Sequence, residues 1–363
     1  MTDRSTLVQN LAREAGLDAV LVAAPANIAY VCGFRVTPHE RLVALVVSPQ
    51  GEVRLVCPSL EEEAARAALD GRVDLCVWRD EEGPAGALGR ALRGAGARVG
   101  IEKRYLSVAN AELAAAAVPG ASLVGCDDLL ARLRAVKSGD EIDAIHRAAA
   151  IVDRVVEQLT SAAAPGTTEA ELAGEAARLL RAAGGESLPF APVVLTGPRS
   201  ALPHGEPGPA ALAEGDLVVC DIGVTVDGYA ADITRTIAVG AADERQGEIF
   251  EVVHAAERAG IAAARAGARA AEVDAAARGV IADAGYGSHF VHRTGHGLGL
   301  EVHEPPYLTA TSDEPLASGM VATVEPGIYV EGWGGVRIED DIVVREGDAE
   351  VLTKAPIALG PAR

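Results

Sequence analysis

"LVVCDIGVTVDGYAADITRT", residues 217–236, decides how this chain is read. Alternating side chains run into Asp227-Gly228, a pair suited to the positive φ values of a two-residue turn, so the stretch predicts a β-hairpin. Asp221 lies six residues before Asp227 and Asp232 four after Gly228, which lets the ladder bring two carboxylates together. Thr234 and Thr236 share the face of Asp232. Downstream, "VEPGIYVEGWGGVRIEDD" (324–341) repeats the device, with Glu325 and Glu339 seven residues either side of Gly332. Carboxylates on hairpins ordinarily form solvated faces. These four sit among apolar neighbours, where unneutralised charge destabilises a fold, so divalent cations are the expected compensation. Oxygen-dominated ligands with one or two imidazoles suit Mn²⁺ or Co²⁺, with Zn²⁺ and Fe²⁺ as further candidates. Two such ions could hold a bridging hydroxide and polarise a carbonyl.

Between the hairpins lies "TGHGLGLEVHEPP" (294–306). His292 and His296 have the spacing of helical chelation, but Gly295, Gly297 and Gly299 oppose a helix. "HEPPY" is not H-E-x-x-H, because position 307 is Tyr, and G-x-G-x-G lacks the following helix of a dinucleotide site. The stretch therefore reads as a glycine-rich strand or loop whose bare backbone admits a substrate, with His296 on metal and His292 and His303 donating hydrogen bonds. With His204 in "LPHG", four of the eight histidines fall in these motifs.

Working outward, 363 residues with 49% hydrophobic and 23% charged side chains suit a two-domain globular protein. Up to about residue 130, runs such as "DAVLVA", "LVALVVSP" and "VRLVCP" alternate with helical runs such as "SLEEEAARAAL", which predicts a small α/β domain. The boundary falls between Leu130 and Lys137, giving domains of 1–132 and 133–363. The second part orders as two long helices, strands over 191–240, two helices to about 284, and strands over 290–353, as in a duplicated α+β half. A net charge of −20 argues against a nucleic-acid or anionic-membrane partner. Five scattered cysteines without C-x-x-C suggest reduced thiols. "MTDRSTLVQNLAREAG" reads as a polar-capped helix and not as a signal peptide, so a cytoplasmic location is expected.

The order Asp221-x10-Asp232, His296 in "GHGLGLEVHE", Glu325 in "EPGIY" and Glu339 in "RIEDD" resembles the M24 metallopeptidases of the pita-bread fold. That group includes Xaa-Pro dipeptidase (prolidase), aminopeptidase P, methionine aminopeptidase and creatinase. The resemblance is strong over 137–355 and implies an α+β pita-bread catalytic domain behind a smaller α/β N-terminal domain. It implies two divalent metals, most often Mn²⁺: Asp221 on one, Asp232 and Glu339 bridging, His296 and Glu325 completing the second. His204, His292 and His303 match the family's substrate-site histidines, and Glu325 would shuttle the proton of a metal-bridging hydroxide. Arg41 in "CGFRVTPHERL" and Arg337 are the candidate clamps for a substrate carboxylate. The resemblance favours a homodimer cleaving Xaa-Pro dipeptides, with aminopeptidase P action on longer peptides, a creatinase-like C–N hydrolase and a metal-free binding module as alternatives.

Overall fold

The computed structural model describes residues 4–360; residues 1–3, where the expected N-terminal helix reading begins, and 361–363 lie outside them. The chain divides into two compact units between Arg134 and Ala135. The sequence expectation set the break at 132/133.

In the first unit, strands β1 (Ala19–Val22), β2 (Ala44–Val47), β3 (Val53–Pro58), β4 (Asp74–Trp78), β5 (Arg98–Ile101) and β6 (Ser122–Gly125) form one mixed sheet in the order β4-β3-β2-β1-β5-β6. Its apolar runs are buried because helices α1 (Arg4–Glu14), α2 (Pro25–Cys32), α3 (Glu62–Leu69), α4 (Ala85–Ala91), α5 (Val108–Ala117) and α6 (Asp127–Ala135) accompany the strands. Leu21, Val46, Val56, Leu88 and Val99 share its core, the pattern of a sheet whose strands are covered on both faces. Two helices here escaped the sequence reading. α2 begins at Pro25 and closes on Gly33 with φ of 80°, and α4 carries two glycines, so neither shows a long helical period.

The second unit opens with α7 (Gly139–Ala162), which Ser138 and Glu141 start as a reciprocal cap, and continues with α8 (Glu169–Ala182) and β7 (Val193–Thr196). The predicted hairpin follows as β8 (Leu217–Val226) and β9 (Tyr229–Ala238). Asp227 and Gly228 take φ of 50° and 78°, the two positive values that match a two-residue turn to strand twist. Ten residue pairs hold one register from Leu217–Ala238 to Val226–Tyr229. Side chains alternate, so one face carries Val218, Cys220, Ile222, Val224 and Ile233 into a core with α7 and α8. The other face carries Asp221, Asp232, Thr234 and Thr236. The apolar face fixes which side chains point to the site, since a one-residue slip would exchange the two faces.

Helices α9 (Glu244–Ala263) and α10 (Ala270–Asp283) precede β10 (Gly295–Gly297), β11 (Glu304–Leu308), β12 (Val321–Val324), β13 (Gly327–Val330), β14 (Gly334–Arg337), β15 (Asp340–Val343) and β16 (Glu350–Val351). Strands β11-β10-β12-β15-β16 form a sheet, and β13-β14 form a separate ribbon. Val324 opposes Asp340 and Gly327 opposes Arg337. The register is thus unchanged across the break between sheet and ribbon, which sets Glu325 and Glu339 opposite each other at the interruption. Phe250 and Val253 of α9 and Ile281 of α10 pack beneath Ile328, Val336 and Ile338 and hold this ribbon.

Candidate metal centre and active site

The polar face of β8-β9, the bare strand β10 and the break in the second ribbon converge on a cavity of about 520 Å³. Asp221, Asp232, His296, Glu325 and Glu339 all line it, with His204, His292, His303 and Arg337. The two hairpins are sewn together directly: the Glu339 amide donates to the Thr234 carbonyl at 3.1 Å, and Thr234 Oγ1 donates to Glu339 Oε2 at 2.6 Å.

Ligating atoms of Asp232, His296 and Glu339 lie within 4.8 Å of one another, and these residues are 4%, 3% and 2% exposed. His296 Nδ1 sits 3.2 Å from the Gly297 carbonyl. A carbonyl only accepts, so Nδ1 carries the proton and Nε2 presents a lone pair, 3.3 Å from Glu325 Oε1. Burial first, then Glu339 and Asp221, hold the Asp232 carboxyl well above the usual carboxylate range. Burial and the neighbouring Glu325 do the same for Glu339. Burial raises Glu325 to about 7, against the lowering effect of Arg337. Burial and His303 depress His296 to about 3, so its ring is neutral and free to ligate.

Do these residues fit a divalent cation? Asp221 Oδ1 and Asp232 Oδ1 are buried without a hydrogen-bond partner, although polar atoms that deep are nearly always satisfied. With a neutral imidazole lone pair and two glutamates alongside, this is a hard, oxygen-rich donor set that a divalent cation completes.

Other expectations meet a different geometry. Gly295 and Gly297 make room for protein, not substrate: a Cβ on Gly295 would stand 1.9 Å from the Thr323 carbonyl oxygen, and one on Gly297 2.3 Å from that of Pro305. The neighbouring strands occupy the space. His292 is committed on both ring nitrogens, Nδ1 to the Arg293 carbonyl and Nε2 to the Tyr329 hydroxyl, each at 2.8 Å, so it does not offer a spare donor. Arg337 is buried and engages all three guanidinium nitrogens, on Asp221 Oδ2 at 2.5 Å, Thr234 Oγ1 at 3.0 Å and the Tyr329 hydroxyl at 3.0 Å. It orients Asp221. Arg41 lies in the first unit, where its guanidinium grips Asp80 through two bonds of 3.0 and 2.9 Å and also meets Glu40.

Two residues the motif reading missed stand out. Tyr329 links His292 to Arg337 and lay in plain view within "EPGIYV". Arg293 lines the cavity over the ring of Tyr307, 4.7 Å from its centroid. No carboxylate among the described residues lies within salt-bridge distance of it. Its position directly after His292 was the one available signal.

The chain matches the metallopeptidase family M24 over residues 143–346 and the creatinase/prolidase N-terminal domain over 4–136. It is 39% identical to a putative dipeptidase, YkvY, of Bacillus subtilis over 98% of both chains. Among solved structures, a prolidase from Thermococcus sibiricus superposes with a TM-score of 0.93 at 33% identity over 98% of both chains. An X-Pro aminopeptidase from Thermotoga maritima does so with 0.89 at 32% identity over 99% of both. The fold is thus that of a pita-bread catalytic domain preceded by a creatinase/prolidase-type N-terminal domain, and the chain belongs to the metallopeptidase family M24.

Proposed function

We propose that this protein is a dinuclear Xaa-Pro dipeptidase, and the observation that carries the reading is Arg293. A guanidinium facing a cavity with no carboxylate of the described residues within salt-bridge distance, in a chain of net charge −20, is a receptor for an anionic ligand group. It acts on the reaction centre at short range, depressing His303 after burial has done so and opposing the rise of Glu325. The terminal carboxylate of a dipeptide lies within one residue of the scissile bond, where Arg293 can take it. In a longer peptide that position holds a neutral amide. A cavity of about 520 Å³ is of the size that encloses a small ligand.

Asp221, Asp232, His296, Glu325 and Glu339 would hold two divalent ions, with Mn²⁺ the first candidate from the donor set. When bound, the ions supply an activated water and a polarised scissile carbonyl. Glu325 takes a proton from the attacking water and returns it to the leaving prolyl nitrogen. That nitrogen comes from a tertiary amide with no N–H, so it must be protonated to depart. His303, lowered by burial and therefore neutral, stacks edge-on to His296 at 4.2 Å and with His204 lines the wall that meets the carbonyl oxygen. Arg337 and Tyr329 keep Asp221 aimed. The similarity to an X-Pro aminopeptidase supports the second reading, cleavage of longer Xaa-Pro peptides. Five unpaired cysteines support a cytoplasmic location, and the family resemblance supports a homodimer.

The test is Ala-Pro against Ala-Pro-amide, with wild type and Arg293→Ala. Losing one charge-assisted contact of about 1.5–3 kcal/mol should raise KM for Ala-Pro by roughly 10- to 100-fold and leave the amide unaffected. Equal KM values for Ala-Pro in both proteins would end the carboxylate-capture reading.

A further inference from the structure

The reaction scheme makes no use of a buried ion pair close to the cavity. Lys137 Nζ lies 2.9 Å from Glu304 Oε1, with side chains only 1% and 3% exposed. Lysine is almost never that deep unless paired, and the desolvation of both charges is offset only by good geometry. Here the geometry leads to the active site. The second carboxylate oxygen of Glu304 accepts the Glu301 amide at 3.3 Å, closing the short loop that carries His303. The loop is folded tightly onto this carboxylate: a Cβ on Gly299 would stand 2.6 Å from Glu304 Oε1. Gly299 is itself pinned, its amide to the Glu301 carbonyl at 3.0 Å and its carbonyl to the Ala230 amide of β9 at 2.8 Å.

The other end of the pair is equally fixed. The Lys137 amide donates to the Gly319 carbonyl at 2.9 Å, Nζ reaches the Ala135 carbonyl at 3.3 Å, and Ser138, the next residue, caps α7. Glu304 also opens β11 opposite Gly297, one residue from His296. The carboxylate that Lys137 neutralises therefore sets the backbone on which His303 meets the His296 ring. We infer that Lys137, acting through Glu304, is a positioning residue for His303. The inference rests on the reading that His303 works on the substrate.

The experiment uses the full chain reloaded with Mn²⁺. Lys137→Met alone strands a buried anion and can fail to fold, so the working variant is Lys137→Met/Glu304→Gln, which removes both charges and keeps an acceptor for the Glu301 amide. On Ala-Pro, kcat should fall on the order of 10- to 100-fold, the scale of a misplaced catalytic group, with KM changed less than about threefold. Placed on His303→Ala, the same double substitution should cause no further loss of kcat, and calorimetric Mn²⁺ affinity should match wild type. An unchanged kcat, an undiminished further loss on His303→Ala, or a parallel fall in Mn²⁺ affinity would overturn the inference. Crystal structures of wild type and the double variant give a readout independent of turnover: the His296–His303 ring separation of 4.2 Å should change. If wild type cleaves no Xaa-Pro substrate, the function reading fails while this structural arm still decides the positioning claim; an unmoved ring would refute it.

Discussion

Strip the protein of divalent metal and raise the pH from 7 to 8: its stability should fall. Burial and Glu339 hold Asp232, and burial and Glu325 hold Glu339, well above the usual carboxylate range, which pushes the folded apo-protein toward keeping protons that the unfolded chain has released. A carboxyl raised on folding contributes stability at low pH and loses it as pH climbs. Each retained proton therefore removes about 1.4 kcal/mol per pH unit. Glu325, at about 7, titrates through the same window and removes about 0.3 kcal/mol more. His292 and His296, depressed to about 4 and about 3, run the opposite way, because only the unfolded chain still binds their protons; together they return about 0.3 kcal/mol. These smaller effects cancel, but Glu257, raised to about 8 by burial and Asp340, removes about 1 kcal/mol of its own, so the loss is about 1 kcal/mol plus about 1.4 for each proton that Asp232, Glu339 or the equally buried Asp341 keeps across the window. Urea unfolding at pH 7 and 8, followed by the fluorescence of Trp333 in a Trp78→Phe background, measures it. With Mn²⁺ bound the ligand carboxylates hold metal in place of protons and their share of the loss should vanish, leaving only that of Glu257 and Asp341, which lie outside the ligand set. An apo-protein equally stable at both pH values would refute the argument that these carboxylates repel one another in a dry pocket.

Three further outcomes follow from the geometry. Asp232→Asn keeps the shape but removes a charge at the centre of the cluster, so Mn²⁺ affinity by calorimetry should fall by at least about 100-fold and turnover should be lost with it. Arg235 is buried against Asp340 at 2.7 Å and donates to the Glu339 carbonyl at 2.6 Å; Arg235→Met should destabilise by about 3–5 kcal/mol in denaturant unfolding, because Asp340 is left buried and unpaired. Gly295→Ala drives a Cβ to 1.9 Å from a strand carbonyl and should lower stability by about 3 kcal/mol, whereas a substrate-facing glycine would change KM and leave the unfolding midpoint alone.

The hairpins were legible because two local signals coincided, a period of two and a turn pair that needs positive φ. Asp221 opposes Thr234 and Asp232 opposes Gly223, so both carboxylates share one face, as counting from Asp227-Gly228 predicts. The symmetry of Glu325 and Glu339 about Gly332 was readable in the same way. What sequence spacing could not convey is which polar partner a side chain finds across the fold. Arg337, read as a substrate clamp, meets Asp221 from 116 positions away. Arg41 met Asp80 from 39 positions away, and Lys137 met Glu304 from 167. Arg293 shows the converse: nothing in its spacing marks it, and it is the lack of a carboxylate within salt-bridge distance, among the described residues, that singles it out as a recognition group. The glycines of 295–299 were rightly read as a close approach, but of strand to strand.

The most direct test is proline release from Ala-Pro and from Ala-Pro-Ala, measured side by side with the apo-protein reloaded with Mn²⁺ and Asp232→Asn as control. The account predicts that Ala-Pro is cleaved with a kcat/KM at least about tenfold higher than the tripeptide, since only the dipeptide places a carboxylate where Arg293 can bind it. Efficient cleavage of the tripeptide, or silence on both substrates with metal bound, would contradict it.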